Sequence, residues 1–106
     1  MSEKVPELTN GEFENFIKGG VVLIDFFAEW CMPCIMMSSV VDEVAENLDG
    51  KAKVGKVNVG DNEPIAKKYN VSSIPNFIIF KDGKQVDQFI GSMSAEDLIE
   101  KIKAQL

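Results

Sequence analysis

The sequence predicts an α/β protein whose central mixed β-sheet carries helices on both faces, in the order β-α-β-α-β-α-β-β-α. Three observations lead there. Val21-Val22-Leu23-Ile24-Asp25-Phe26-Phe27 is a nearly continuous apolar run rich in β-branched and aromatic residues, the pattern of a central strand covered on both faces. Strand-like and helix-like periodicities then alternate through the first part of the chain, which implies right-handed crossovers between parallel strands. Finally, two strand-like runs meet at Asp82-Gly83, so the last pair is an antiparallel hairpin.

Taken in order, a short edge strand is expected near Val5. Thr9 and Glu12 form a capping box, and Phe13, Phe16 and Ile17 give a short helix its narrow apolar face before Gly19-Gly20 ends it. After the central strand, Met37, Val40, Val41, Val44, Ala45 and Leu48 recur at helical spacing, with Asp42, Glu43, Glu46 and Asn47 opposite. This long helix runs to about Asp49-Gly50, and Met36 and Met37 read as gap-filling core residues within it. Residues 53–59 supply a second strand, with Val57 and Val59 on one side and Lys56 and Asn58 on the other. Asp61-Asn62-Glu63-Pro64 caps a short helix reaching Tyr69, which Asn70 ends in the left-handed conformation. Phe77-Ile78-Ile79-Phe80 and residues 86–90 are the hairpin strands. Ser94 with Asp97 starts the final helix, whose Ala95, Leu98, Ile99, Ile102 and Leu106 line one face.

At 106 residues the chain reads as one domain, residues 1–106, large enough to bury its own core. Its 45% hydrophobic and 26% charged content argues against disorder. A net charge of -6 leaves no basic footprint for phosphate binding, so nucleic acid is excluded as a partner. A membrane is excluded as well, because no apolar run is long enough to span one, and Met1-Ser2-Glu3-Lys4-Val5-Pro6 carries no apolar signal region. The expected location is therefore cytoplasmic, where a cysteine pair is more often catalytic or metal-binding than structural. Asn70-Val71-Ser72 matches a glycosylation acceptor, a chance match in a protein that is not secreted.

All the cysteine lies in Trp30-Cys31-Met32-Pro33-Cys34, between the central strand and the long helix. A disulfide closing so small a ring restricts the unfolded chain little, so its value is chemical rather than structural. A cysteine at a helix N-terminus meets unpaired N–H groups and the positive end of the macrodipole, which favour the attacking thiolate. Cys31 is placed there. Cys34, one turn on, faces the same way and is expected to be better covered, while Pro33 suits the first turn and holds the pair in register. The local chemistry is redox, with Cys31 attacking and Cys34 resolving. Half of a zinc site has the same spacing, but zinc takes four N/S ligands and the chain has no His and no further Cys, so a metal needs two chains. An inert structural disulfide is disfavoured by the small ring and by the exposure expected of a loop-to-helix junction.

Asp25 interrupts the buried strand, where a carboxylate is costly unless paired, hydrogen-bonded or neutral. One reading is a partly solvated structural Asp. The other places it near the cysteines, six residues before Cys31, with a raised pKa that lets it exchange a proton with Cys34. Lys56 is its candidate charge partner.

The run from Asp25 to Cys34, the later Val71-Ser72-Ser73-Ile74-Pro75 and the closing Phe89-Ile90-Gly91 together resemble the thioredoxin family over nearly the whole chain. The resemblance implies the thioredoxin fold, and it implies that Cys31 and Cys34 are the attacking and resolving thiols, with Asp25 the buried acid/base and Lys56 beside it. Pro75 corresponds to a cis-proline that lies across from the cysteines and presents the Ile74 backbone to an extended client; the alternative is an ordinary trans loop proline. Gly91 corresponds to a position where backbone approaches the pair closely, and otherwise is a simple turn glycine. Trp30, Met32, Ile74 and Gly91 are expected to form an apolar client-docking patch around Cys31.

This sequence also departs from the family. Met32 stands where the best-known members have Gly, and Ile35 where they have Lys or Arg. Loss of the cation weakens thiolate stabilisation, and the added apolar surface favours hydrophobic clients. Ser39 replaces a helix proline, Phe27 a Trp, and Asn76 the Thr after the cis-proline.

The function implied is protein-disulfide reduction by dithiol-disulfide exchange, with the redox-active Cys31–Cys34 pair in place of any cofactor. The implied partners are thioredoxin reductase or an equivalent electron donor and client proteins bearing disulfides, and the chain is expected to act as a monomer. A glutaredoxin-like or single-client reductase is the nearest alternative. A non-catalytic binding module is another, and its docking would survive replacement of both cysteines.

Overall fold

The computed structural model describes residues 4–106; residues 1–3, part of the stretch read for a signal region, lie outside the described residues. Val21–Phe27 forms β1 at the centre of one sheet. It pairs parallel with Lys53–Asn58 (β2) and antiparallel with Asn76–Lys81 (β3), which pairs antiparallel with Lys84–Ile90 (β4). The strand order is β2-β1-β3-β4, the mixed sheet expected. Asp82 and Gly83 both take positive φ (51° and 87°), which the tight hairpin requires.

Successive side chains of a strand point to opposite faces, and the sheet sorts its residues accordingly. Val21 and Leu23, with Phe77 and Ile79, pack under Met32–Asn47 (α2) and Ala95–Lys103 (α4). Val22, Ile24 and Phe26, with Ile78 and Phe80, pack under Asn10–Ile17 (α1) and Glu63–Lys68 (α3). Helices thus cover both faces. Val22, Leu23, Ile24 and Phe26 are fully buried, and each such side chain contributes about 1.5–3 kcal/mol by leaving water.

Local signals act as read. The Glu12 carboxylate accepts from both the Thr9 N–H and the Thr9 hydroxyl at 2.9 Å, which holds its pKa below the usual carboxylate range. The Ser94 hydroxyl accepts from the Asp97 N–H at 3.1 Å. Asn70 takes φ 56° after α3.

Three expectations are corrected. The edge strand near Val5 shrinks to one isolated parallel bridge between Glu7 and Lys56. Pro6 has no N–H to continue a ladder, although its carbonyl accepts from the Lys56 N–H at 2.9 Å and the Leu8 N–H donates to the Lys56 carbonyl at 2.8 Å. Asn58 shares a side of β2 with Lys56, as expected, and is buried: its side-chain oxygen accepts from the Gly60 N–H at 2.9 Å and shapes the turn after β2. Leu106 is exposed because α4 ends at Lys103, before another turn could carry it to the core. Met36, read as core, is likewise exposed, for a reason that belongs to the site. Gly55 in β2 has a steric role, since a Cβ there would lie 2.9 Å from Leu8 and from Phe16 side-chain atoms.

Candidate functional site

The loop leaving β1 carries Trp30 out to solvent and then turns at Cys31, the N-cap of α2, in an extended conformation (φ -93°, ψ 105°). The Cys31 carbonyl accepts from the Ile35 N–H at 3.1 Å, and its sulfur accepts from the Cys34 N–H at 3.2 Å. A sulfur in this capping position takes the place of the Ser or Asp oxygen usually found there, directed at helix N–H groups that stabilise negative charge. Pro33 occupies the first turn, where it costs no hydrogen bond. Cys31 and Cys34 are joined as a disulfide with Cα atoms 5.3 Å apart.

The cysteines are more enclosed than the sequence implied. Cys31 is 6% exposed and Cys34 5%, so the expected contrast in cover is absent. With Ala28 they form a small cluster against which Phe27, Val59 and Ile74 pack. The exposure of the junction is carried by its apolar neighbours: Trp30, Met32, Ile35 and Met36 all face solvent. Of the expected docking patch, Trp30 and Met32 are exposed, while Ile74 and Gly91 are half-buried.

Asp25 lies on the α2 face of β1, opposite Lys56 of β2 and Phe77 of β3. It is 4% exposed, and its Oδ1 has no hydrogen-bond partner among the described residues. Burial pushes its pKa up to about 7, against the opposing pull of the Lys56 charge. The Lys56 ammonium stands 5.3 Å from the centroid of the Phe27 ring. Asp25, Lys56 and Cys34 line one cavity of about 250 Å³, together with Phe27, Ser38 and Asp42 among others. The structure thus brings the acid and the second cysteine to the same space, the juxtaposition expected of them.

On the other side, the Ile74–Pro75 peptide bond is cis, Pro75 is buried, and its carbonyl accepts from the Gly91 N–H at 2.8 Å. Gly91 is required for its backbone (φ 100°) rather than for crowding, because a Cβ there would meet nothing within 4 Å. Sequence reasoning missed three neighbours. Ser38 follows Cys34 by one helical turn and so reaches the same cavity, a relation the spacing carried. Met36 follows Met32 by the same step and shares its outward face. Asn76 is fully buried, with its oxygen accepting from the Gln88 side-chain amide at 3.1 Å and its own Nδ2 unpartnered; nothing in the sequence marked that.

Among the described residues, no group of three or more His, Cys, Asp or Glu is placed to hold a metal, and no helix is long and apolar enough to cross a membrane. The Thioredoxin family model matches residues 4–104. A thioredoxin of Staphylococcus epidermidis is 42% identical over 102 residues, covering 96% of this chain and 98% of that one. One from Staphylococcus aureus is 40% identical over the same span. Among solved structures, a mutant thioredoxin from Halobacterium salinarum NRC-1 superposes with a TM-score of 0.89 at 33% identity, covering 99% of this chain and 94% of that one. With a capped cysteine pair at disulfide distance on this fold, the chain belongs to the thioredoxin family and is a thiol-disulfide oxidoreductase that reduces protein disulfides.

Proposed function

We propose that Cys31 attacks, Cys34 resolves and Asp25 moves the proton between them and solvent, with Lys56 tuning Asp25. In the dithiol form the Cys31 thiolate attacks one sulfur of a client disulfide, and the client's other sulfur leaves as a thiolate. Cys34 then gives its proton to the Asp25 carboxylate and attacks the Cys31 sulfur. The Cys31–client bond breaks, the client leaves fully reduced, and Cys31 and Cys34 are joined as the two electrons pass to the client. A separate electron donor, thioredoxin reductase or its equivalent, restores the dithiol.

The observation that carries this reading is the cavity shared by Asp25 and Cys34, with the carboxyl poised near pH 7 to accept a proton. Lys56 enters as the one cation on that cavity wall among the described residues, opposing the desolvation that raises Asp25. Trp30, Met32, Pro33, Ile74, Pro75 and Gly91 receive the client: the first two offer exposed apolar surface, and the Ile74 backbone offers an extended edge. The domain acts as a cytoplasmic monomer with no cofactor beyond the Cys31–Cys34 pair.

The test is trapping. Cys34→Ser leaves the mixed disulfide without its resolving thiol, so covalent client complexes should accumulate on non-reducing gels, whereas Cys31→Ser should trap few. Equal trapping by both variants would reverse or remove the division of roles.

A further inference from the structure

Helix α2 is inverted in its first turns. Further along, its large apolar side chains face inward and its polar ones face water, as at Val41 and Val44 against Asp42 and Glu43. Near Cys31 the outward positions are instead Met32, Ile35 and Met36, at the i, i+3 and i+4 spacing that places them together on one face. Met32 is 65% exposed and Met36 74%, whereas Met37, one residue on, is 4% exposed and Met93 is packed against the core. The two exposed thioethers border the disulfide, one between its cysteines and the other two residues beyond Cys34.

We propose that Met32 and Met36 are modification sites, an oxidation-sensitive rim through which peroxide weakens client docking. In the modifying step a thioether sulfur attacks one oxygen of hydrogen peroxide and the O–O bond breaks. That oxygen stays on sulfur as the sulfoxide, the other leaves as water, and the sulfur is oxidised by two electrons while the peroxide is reduced. The change converts a flexible apolar side chain into a polar one with a strong acceptor. Covering that acceptor with an apolar client segment removes its water without replacing the hydrogen bond, which weakens docking by roughly tenfold. Access sets the order of reaction, so Met37 and Met93 serve as internal controls in the same molecule. The chemistry is reversible by methionine sulfoxide reductases, so this rim reports oxidant load separately from the Cys31–Cys34 pair.

The effect on docking rests on the proposed client patch, and two measurements separate the claims. The disulfide form, in which the cysteines are protected, is treated with hydrogen peroxide, quenched with catalase and mapped by peptide mass. Oxygen should appear at Met32 and Met36 before Met37 and Met93; equal rates, or Met37 first, would overturn the proposal. The protein is then reduced with dithiothreitol, desalted and mixed in single turnovers with insulin as the disulfide substrate. The half-saturating insulin concentration should rise roughly tenfold while the saturated rate holds. An unchanged concentration would overturn the effect on docking. For the Met32→Leu/Met36→Leu variant, the half-saturating concentration, whatever its starting value, should be unmoved by peroxide. Without oxidant, Met32→Gln/Met36→Gln tests the patch itself: if it leaves half-saturation unchanged, the docking reading fails irrespective of the peroxide result.

Discussion

Asp25 is held where its charge is least welcome, and the direction of the penalty fixes its pH dependence. Its folded-state pKa of about 7 exceeds the ordinary value of 3.8, so the folded chain holds this proton more tightly than the unfolded chain. Stability from this group is full below pH 3.8, declines as pH rises and levels off above about 7. At pH 8 the buried charge costs about 4 kcal/mol. Asp25→Ala should therefore raise the urea midpoint at pH 8 and by clearly less at pH 4, with the cavity left behind offsetting part of the gain. If Asp25 takes the Cys34 proton as proposed, the same variant should also reduce clients more slowly. Equal destabilisation at both pH values would make Asp25 a satisfied structural group. At this scale the sequence was legible wherever a residue broke its local pattern, as Asp25 does in an apolar strand. It was silent on Asn76, whose burial follows from β3 lying between β1 and β4, a long-range fact without a local trace.

Elements were legible to the extent that their caps and periods were their own. The Ser94 cap is a self-contained example: its hydroxyl satisfies the Asp97 N–H, with Glu96 and Asp97 in the first turn and Lys101 and Lys103 in the last, matching the helix dipole. Ser94→Ala should lower stability by about 1 kcal/mol, read from the urea midpoint, while leaving client reduction unchanged. A fall in the reduction rate would show that α4 influences the site from the far side of its packing. Periodicity misled where an element stopped or was interrupted. Leu106 fits the α4 stripe but lies past its last turn, and Pro6 halts the ladder that the residues around Val5 would otherwise join. Met36 misled for another reason: apolar character normally marks the inner face of a helix, and at the start of α2 Met32, Ile35 and Met36 face solvent instead.

Two cores share one sheet, and the N-terminal segment touches both. Val5 belongs to the core beneath α2 and α4, Leu8 to the core beneath α1 and α3, and the Pro6 and Leu8 backbones bind Lys56 between them. The mixed sheet and the sorting of helices were legible because strand alternation is a global rule expressed in local residues. The enclosure of Cys31 was not, since Val59 and Ile74, which pack on its cluster, arrive from distant parts of the chain. Val5 also lines the cavity that holds Asp25 and Cys34, so a leading segment with no strand of its own forms part of the wall around the acid. Cutting the chain after Leu8 should admit water beside Asp25, let its pKa fall towards 3.8 and move the acid limb of the reduction profile to lower pH. A pH-rate comparison of the cut and intact proteins measures that movement. For protein engineers the consequence concerns placement: a substitution or a protease site introduced at Val5 falls on the wall of the cavity that holds Asp25 and Cys34, although Val5 lies 20 residues before the acid in sequence.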